Sequence, residues 1–221
     1  WQAIAGTPQL EALRAPFFLA LVVDQVESTG ELGGDRAGLF TGFVRQALRR
    51  EVERDNPLFA DEDLLDSRDT RRIAHWRGQG ADQLPERGAL LPRLGRLAYG
   101  MQATDTDGET AQVRVAYDAA LDQVDHPRGA DIVKAGVAIS VLDEDPAADE
   151  VLYRHQLLQE YLGARVLANE PNPELVAAQW RTADIRPGLR EILDALPPGE
   201  TLPTLRQTGW EETTILAAAM V

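Results

Sequence analysis

The 221-residue chain has three histidines, His75, His126 and His155, and one of them stands where an imidazole could do chemistry. His155 follows Val151 to Arg154, which read as a strand, and precedes Leu158, Tyr161, Leu162 and Val166, spaced three and four apart as on one helical face. The junction of a strand and a helix presents backbone N–H groups without intrahelical partners. The helix dipole favours an anion there, and an imidazole adds a charge-assisted hydrogen bond. Such a site suits a diphosphate. The other reading of the same residue is a packed histidine bonded to a neighbouring carbonyl. Pro16, ahead of Phe17, Phe18, Leu21 and Val22, sits where the first turn of a helix accepts proline and is pre-organised by it.

The remaining candidates carry less. His75 and His126 are isolated in polar segments, with no second ligand at a metal-binding spacing such as His-Glu-x-x-His. Asp61 to Asp63 and Asp143 to Asp145 lack the glycine and the terminal glutamate of a calcium loop and read as solvated turns. There is no cysteine, hence no disulfide, thiolate metal site or cysteine nucleophile. No Gly-x-x-x-x-Gly-Lys-[Ser/Thr] run occurs, and Gly30 to Gly34 has no lysine to neutralise phosphate. The chain is therefore assigned neither a catalytic residue nor a metal ligand, and hydrolysis of nucleotide by it is not expected.

The elements that must position His155 read as mainly helical. Leu10 to Glu27 is dense in apolar residues, and after the turn Ser28 to Gly34 a helical stripe runs through Leu39, Phe40, Phe43, Val44, Ala47 and Leu48. Asp55 to Arg87, broken by Pro57 and Pro85, reads as an inserted loop with one or two short helices. Leu90 to Met101 returns to helical spacing, and a second helix is expected from about Thr110 to Val124. A short helix over Ala130 to Ala135 precedes a hairpin of Val137 to Leu142, an acidic turn Asp143 to Glu150, and Val151 to Arg154. The helix His155 to Ala168 follows directly. Three helices and a hairpin in this order predict a winged helix. Further helices are expected at Glu174 to Arg181 and Leu189 to Leu196, and a last one where Thr208 and Glu211 can form a capping box ahead of Ile215 to Val221. The abrupt start at Trp1 and the apolar helical end are those expected of a piece of a longer protein.

Composition limits the function classes. Net charge is −14, from 36 acidic against 22 basic residues, so the average surface repels phosphate backbones and anionic membranes. Lys134 is the single lysine, an arginine bias expected of a GC-rich bacterial genome. No apolar run reaches the ~18 residues that cross a bilayer, and no signal-peptide pattern opens the chain, which predicts a cytoplasmic location.

Tyr153 to Arg165, with His155-Gln156-Leu157-Leu158-Gln159-Glu160-Tyr161-Leu162-Gly163-Ala164 at its centre, resembles the His-x-x-x-Gln-Glu-Tyr-Phe-Ala-Ala motif near the end of the winged helix in NACHT family NTPases. Leu13 to Leu19 is similar to the Asn-Pro-Leu-Leu-Leu segment that opens the family's helical domain. Gly30 to Phe40 is similar to the Gly-x-Leu-Pro-x-x-Arg-x-x-Leu-Phe stretch that follows it. Thr208 to Thr213 resembles the join to helical repeats in bacterial members. The chain departs from the pattern at Ala15, where Asn is common, at Gly33, where Pro is, and at Leu162 and Gly163, which replace Phe and Ala. The insert 55–87 is not covered.

The resemblance implies a helical domain over residues 1–56, a variable insert over 57–87, a winged helix over 88–168 and the start of a further helical region over 169–221. It implies that His155 contacts the β-phosphate of ADP, that Pro16 packs against adenine, and that Gln159, Glu160 and Tyr161 support the motif helix. ATP or ADP with Mg would belong to the parent protein, bound by an upstream nucleotide-binding domain of the same polypeptide. The expected role is an autoinhibitory, ADP-clamping segment in bacterial defence signalling that forms a homo-oligomer on activation, with no nucleic-acid or membrane partner. Two other readings stay open. One is a winged-helix DNA-binding regulator, disfavoured by a predicted recognition helix with only Lys134 and by an acidic wing. The other is a helical adaptor that binds a protein through an apolar face.

Overall fold

The structure is a computed structural model that describes residues 19, 22, 23, 26, 27, 36–75, 84–104, 114–174, 189–201 and 209–220. Most of the expected first helix, Leu10 to Glu27, lies outside the described residues, as do Pro16, Gly30 to Gly34, Thr208 and most of the helix expected at Glu174 to Arg181.

Helix α1, Arg36–Glu53, buries Ala37, Phe40, Val44, Ala47 and Leu48, which recur at helical intervals on one face. The insert that follows holds a 3-10 turn, Pro57–Phe59, and helix α2, Ser67–Ala74. Asn56 caps the first by accepting from Leu58 N–H, and Asp66 caps the second by accepting from Arg68 N–H. Residues 88–90 return along the turn at Asp61 to Leu65, with Ala89 N–H donating to Asp63 O at 2.8 Å and Leu90 N–H to Leu64 O at 3.1 Å. Gly88 is required there: a Cβ would lie 2.2 Å from the Leu64 carbonyl oxygen.

The central unit runs α3 (Leu90–Thr104), β1 (Arg114–Ala116), α4 (Tyr117–Val124), α5 (Gly129–Ala138), β2 (Leu142–Asp145), β3 (Glu150–Tyr153) and α6 (Gln156–Asn169). The strands form an antiparallel sheet in the order β1-β3-β2, with Val115 opposite Val151 and Leu142 opposite Tyr153. Three helices, a first strand between the first two of them, and a hairpin after the third constitute a winged helix, so the fold is mainly α with a small sheet. Helix α7, Leu189–Ala195, and helix α8, Glu211–Ala218, follow.

Two local expectations are corrected. The helix expected from Thr110 begins at Tyr117, because Arg114 to Ala116 pair with β3. Val137 and Ala138 complete α5 rather than opening the hairpin. The turn out of α5 passes through Ser140 at φ +61°, and the first hairpin strand is the acidic Leu142–Asp145. Helix α8 starts at Glu211 with Trp210 as N-cap, and Thr208 of the expected capping box lies outside the described residues.

The buried apolar residues of α1, the insert, the winged helix and α8 form one continuous cluster that includes Phe40, Ile73, Leu94, Met101, Ile132, Leu142, Tyr161 and Leu216. Tyr153 fastens the sheet to α3 by donating its hydroxyl to Leu94 O at 2.7 Å, a bond that satisfies a fully desolvated phenol. Among the described residues no helix is long and apolar enough to cross a membrane.

Candidate functional site

His155 is the N-cap of α6, with the extended backbone (φ −151°, ψ 135°) that N-caps adopt. Its Nδ1 accepts from Leu157 N–H at 3.2 Å, and its carbonyl accepts from Leu158 N–H at 2.9 Å and Gln159 N–H at 3.3 Å. The preceding residue is anchored too, Arg154 N–H donating to Val141 O at 3.0 Å. The sequence thus places a half-buried imidazole between a hairpin and a helix and holds it from both sides.

Two consequences follow for its chemistry. An Nδ1 that accepts a hydrogen bond carries no proton, so the neutral ring carries its proton on Nε2. Burial lowers the imidazole pKa from its ordinary value, and protonating Nδ1 would also forfeit the Leu157 bond. The side chain therefore caps its own helix, a structural role that the sequence reading weighed only as packing against a carbonyl.

The three residues expected to support it are all buried on the same helix. Gln159 is 0% exposed and Glu160 6%. Tyr161 is fully buried, its ring tilted against Phe40 with centroids 5.3 Å apart and its hydroxyl 2.7 Å from Thr41 Oγ1. Phe40 closes the Gly30 to Phe40 stretch and Tyr161 belongs to the His155 motif, so these two sequence features meet in one contact. The tail feature joins them, since Arg36 pairs with Glu212 and Thr213 Oγ1 is bonded to the Gln102 side chain. Gly163 lies at the same helix crossing, where a Cβ would stand 3.3 Å from Gln102 Oε1. Pro16 lies outside the described residues.

A cleft of about 730 Å³ is lined by Thr41, Asp69, Arg72, Arg165, Asn169 and neighbouring residues. It lies toward the C-terminal end of α6, the opposite end from His155, and His155 does not line it. Among the described residues no group of three His, Asp or Glu side chains could hold a metal ion. His126 is committed to its own turn, its Nδ1 accepting from Arg128 N–H at 3.2 Å.

The surface that a winged helix would offer DNA is acidic here. Helix α5 carries Asp131 and Lys134, and Arg128 at its N-cap is already paired with Asp131 and Asp61. The hairpin holds Asp143, Glu144, Asp145, Asp149 and Glu150 against Arg114 and Arg154, which pair within it. No protein-family model, no curated protein and no solved structure matches this chain.

Proposed function

We propose that the chain is the nucleotide-state-sensing segment of a signalling ATPase of the NACHT kind, in which His155 holds the β-phosphate of ADP in a closed, inactive arrangement. The observation that supports the reading is the placement of His155. The imidazole stands at the positive end of a 14-residue helix, whose following turns are locked into α1 through Tyr161. In this reading the phosphate loop and Mg reside in an upstream domain of the same polypeptide, and Pro16 packs on the adenine. Loss of the phosphate contact frees the winged helix and permits homo-oligomer assembly. A hydrogen bond of this kind contributes about 1 to 3 kcal/mol to one state alone, enough for a several-fold to hundred-fold population shift. Retention of labelled ADP by the full-length polypeptide, compared between the natural protein and His155→Ser, tests it.

The winged-helix order is the one observation that favours a DNA-binding regulator, and the charges oppose it. Binding to duplex DNA draws on lysine and arginine contacts to phosphate, whereas α5 offers Lys134 and an arginine that is paired twice. A gel shift with duplex DNA at physiological salt separates the two, and micromolar binding would replace the switch reading with the regulator.

A further inference from the structure

The cleft at the C-terminal end of α6, about 730 Å³ in volume, has the size of a small-molecule pocket. Several parts of the chain meet around it. Thr41 comes from α1, Arg72 from α2, Arg165 and Asn169 from α6, and Met220 from just after α8, while Glu86 and Arg87 precede α3.

The charges of this wall depart from those of the chain. The whole sequence has a net charge of −14, yet the described lining carries three arginines, Arg72, Arg87 and Arg165, against two carboxylates, Asp69 and Glu86. Asp69 is 3% exposed, and its pairing with Arg72 spans 3.7 Å, too long for a hydrogen bond. Arg165 is paired with Glu86, and that pair is lopsided: the arginine side chain is 16% exposed and the glutamate side chain 57%. The guanidinium is held in the wall, whereas the carboxylate is a solvated group that returns to water at little cost. A ligand oxyanion offers Arg165 the same bidentate geometry that Glu86 does and gains Arg72 and Arg87 besides. Leu84 and Ala168 supply apolar surface for the body of such a ligand.

We propose that this cleft is a ligand site for a small molecule bearing a carboxylate or phosphate group, which displaces Glu86 from Arg165 and is held by Arg72 and Arg87. The inference does not rest on the nucleotide reading, because His155 stands at the other end of α6 and does not line the cleft.

The test is isothermal titration calorimetry of the 221-residue chain at constant ionic strength with citrate, a source of carboxylates, and with inorganic pyrophosphate, a source of phosphates. Saturable binding at a single site, with a Kd of about 1 mM or tighter, is expected of at least one of them, and the tighter one identifies the group. Glu86, Arg72 and Arg87 are exposed, so substitutions there are expected to leave the melting temperature nearly unchanged. Glu86→Gln, which removes the competing carboxylate, should tighten binding about three-fold or more, and Arg72→Gln and Arg87→Gln should each weaken it by a similar factor. His155→Ser should not alter it. No saturable binding of either probe up to about 10 mM overturns the proposal. So does binding that Glu86→Gln fails to tighten, or that both arginine substitutions spare. Binding abolished by His155→Ser also overturns it, since the anion would then sit at the start of α6.

Discussion

The hydroxyls of Tyr161 and Thr41 lie 2.7 Å apart across 120 residues of sequence. Thr41 Oγ1 also donates to Ala37 O at 2.8 Å, which uses its single proton, so Tyr161 is the donor in the pair. This bond and the ring contact with Phe40 tie α1 to the helix that carries His155. Tyr161→Phe is expected to cost about 1 kcal/mol and Tyr161→Ala about 3 to 5 kcal/mol. A double-mutant cycle with Thr41→Val by urea denaturation checks it. The coupling should be favourable, and the two single losses should not add.

Gly88 faces the backbone of Leu64 and Leu65 so closely that a methyl group has no space. Gly88→Ala is expected to destabilise by about 1 to 3 kcal/mol, because a carbonyl, unlike a side-chain tip, cannot move aside cheaply. Thermal denaturation reads the loss. Gly209, at φ +77° with nothing near its Cβ position, is a comparison in which the cost comes from backbone conformation alone.

His155 contributes to stability through its cap. His155→Ala is expected to lose about 1 kcal/mol, and His155→Ser, which restores an N-cap acceptor, to recover most of it. Burial lowers the imidazole pKa below its unfolded value. Its contribution is thus complete above the unfolded pKa and is lost as pH falls through the folded one. Melting curves of the natural chain and His155→Ser should nearly coincide at pH 7.5, and the natural chain should melt lower than His155→Ser once pH falls below the folded imidazole pKa.

Glu160 works in the opposite sense. Its folded value of about 7 lies above the ordinary carboxylate value of 4.5, so between the two the folded chain binds more protons than the unfolded one. Stability therefore falls as pH rises through that window and levels off above it, by a few kcal/mol at most. Glu160→Gln should remove that slope in urea midpoints measured from pH 4.5 to 8.

Much of this architecture is legible in the periodicity of single segments. The stripe through Phe40, Val44 and Leu48 is α1, Leu90 to Met101 lies within α3, and the run behind His155 is α6. Strand β1 is not legible, because three residues with Val115 alone turned inward have no periodicity and exist by pairing with β3. Strand β2 is displaced in the sequence reading because apolar Val137 and Ala138 resemble a strand. The strand itself is acidic and borders the sheet, where charged side chains stay solvated. His155 is legible as a helix start, whereas its self-capping bond depends on an extended backbone that residue types alone do not set. The packing of Tyr161 on Phe40 and Thr41, and the pairing of Arg36 with Glu212, join residues far apart in sequence and need the fold to be seen.

The most direct test of the switch is the release rate of fluorescent ADP from the full-length polypeptide, with His155→Ser as the variant because it keeps the helix cap and removes the imidazole. Release several-fold to a hundred-fold faster than from the natural protein, with an unaltered apo melting temperature, is the predicted result. Equal release rates for the two proteins would contradict the account and leave His155 as the cap of α6 and nothing more.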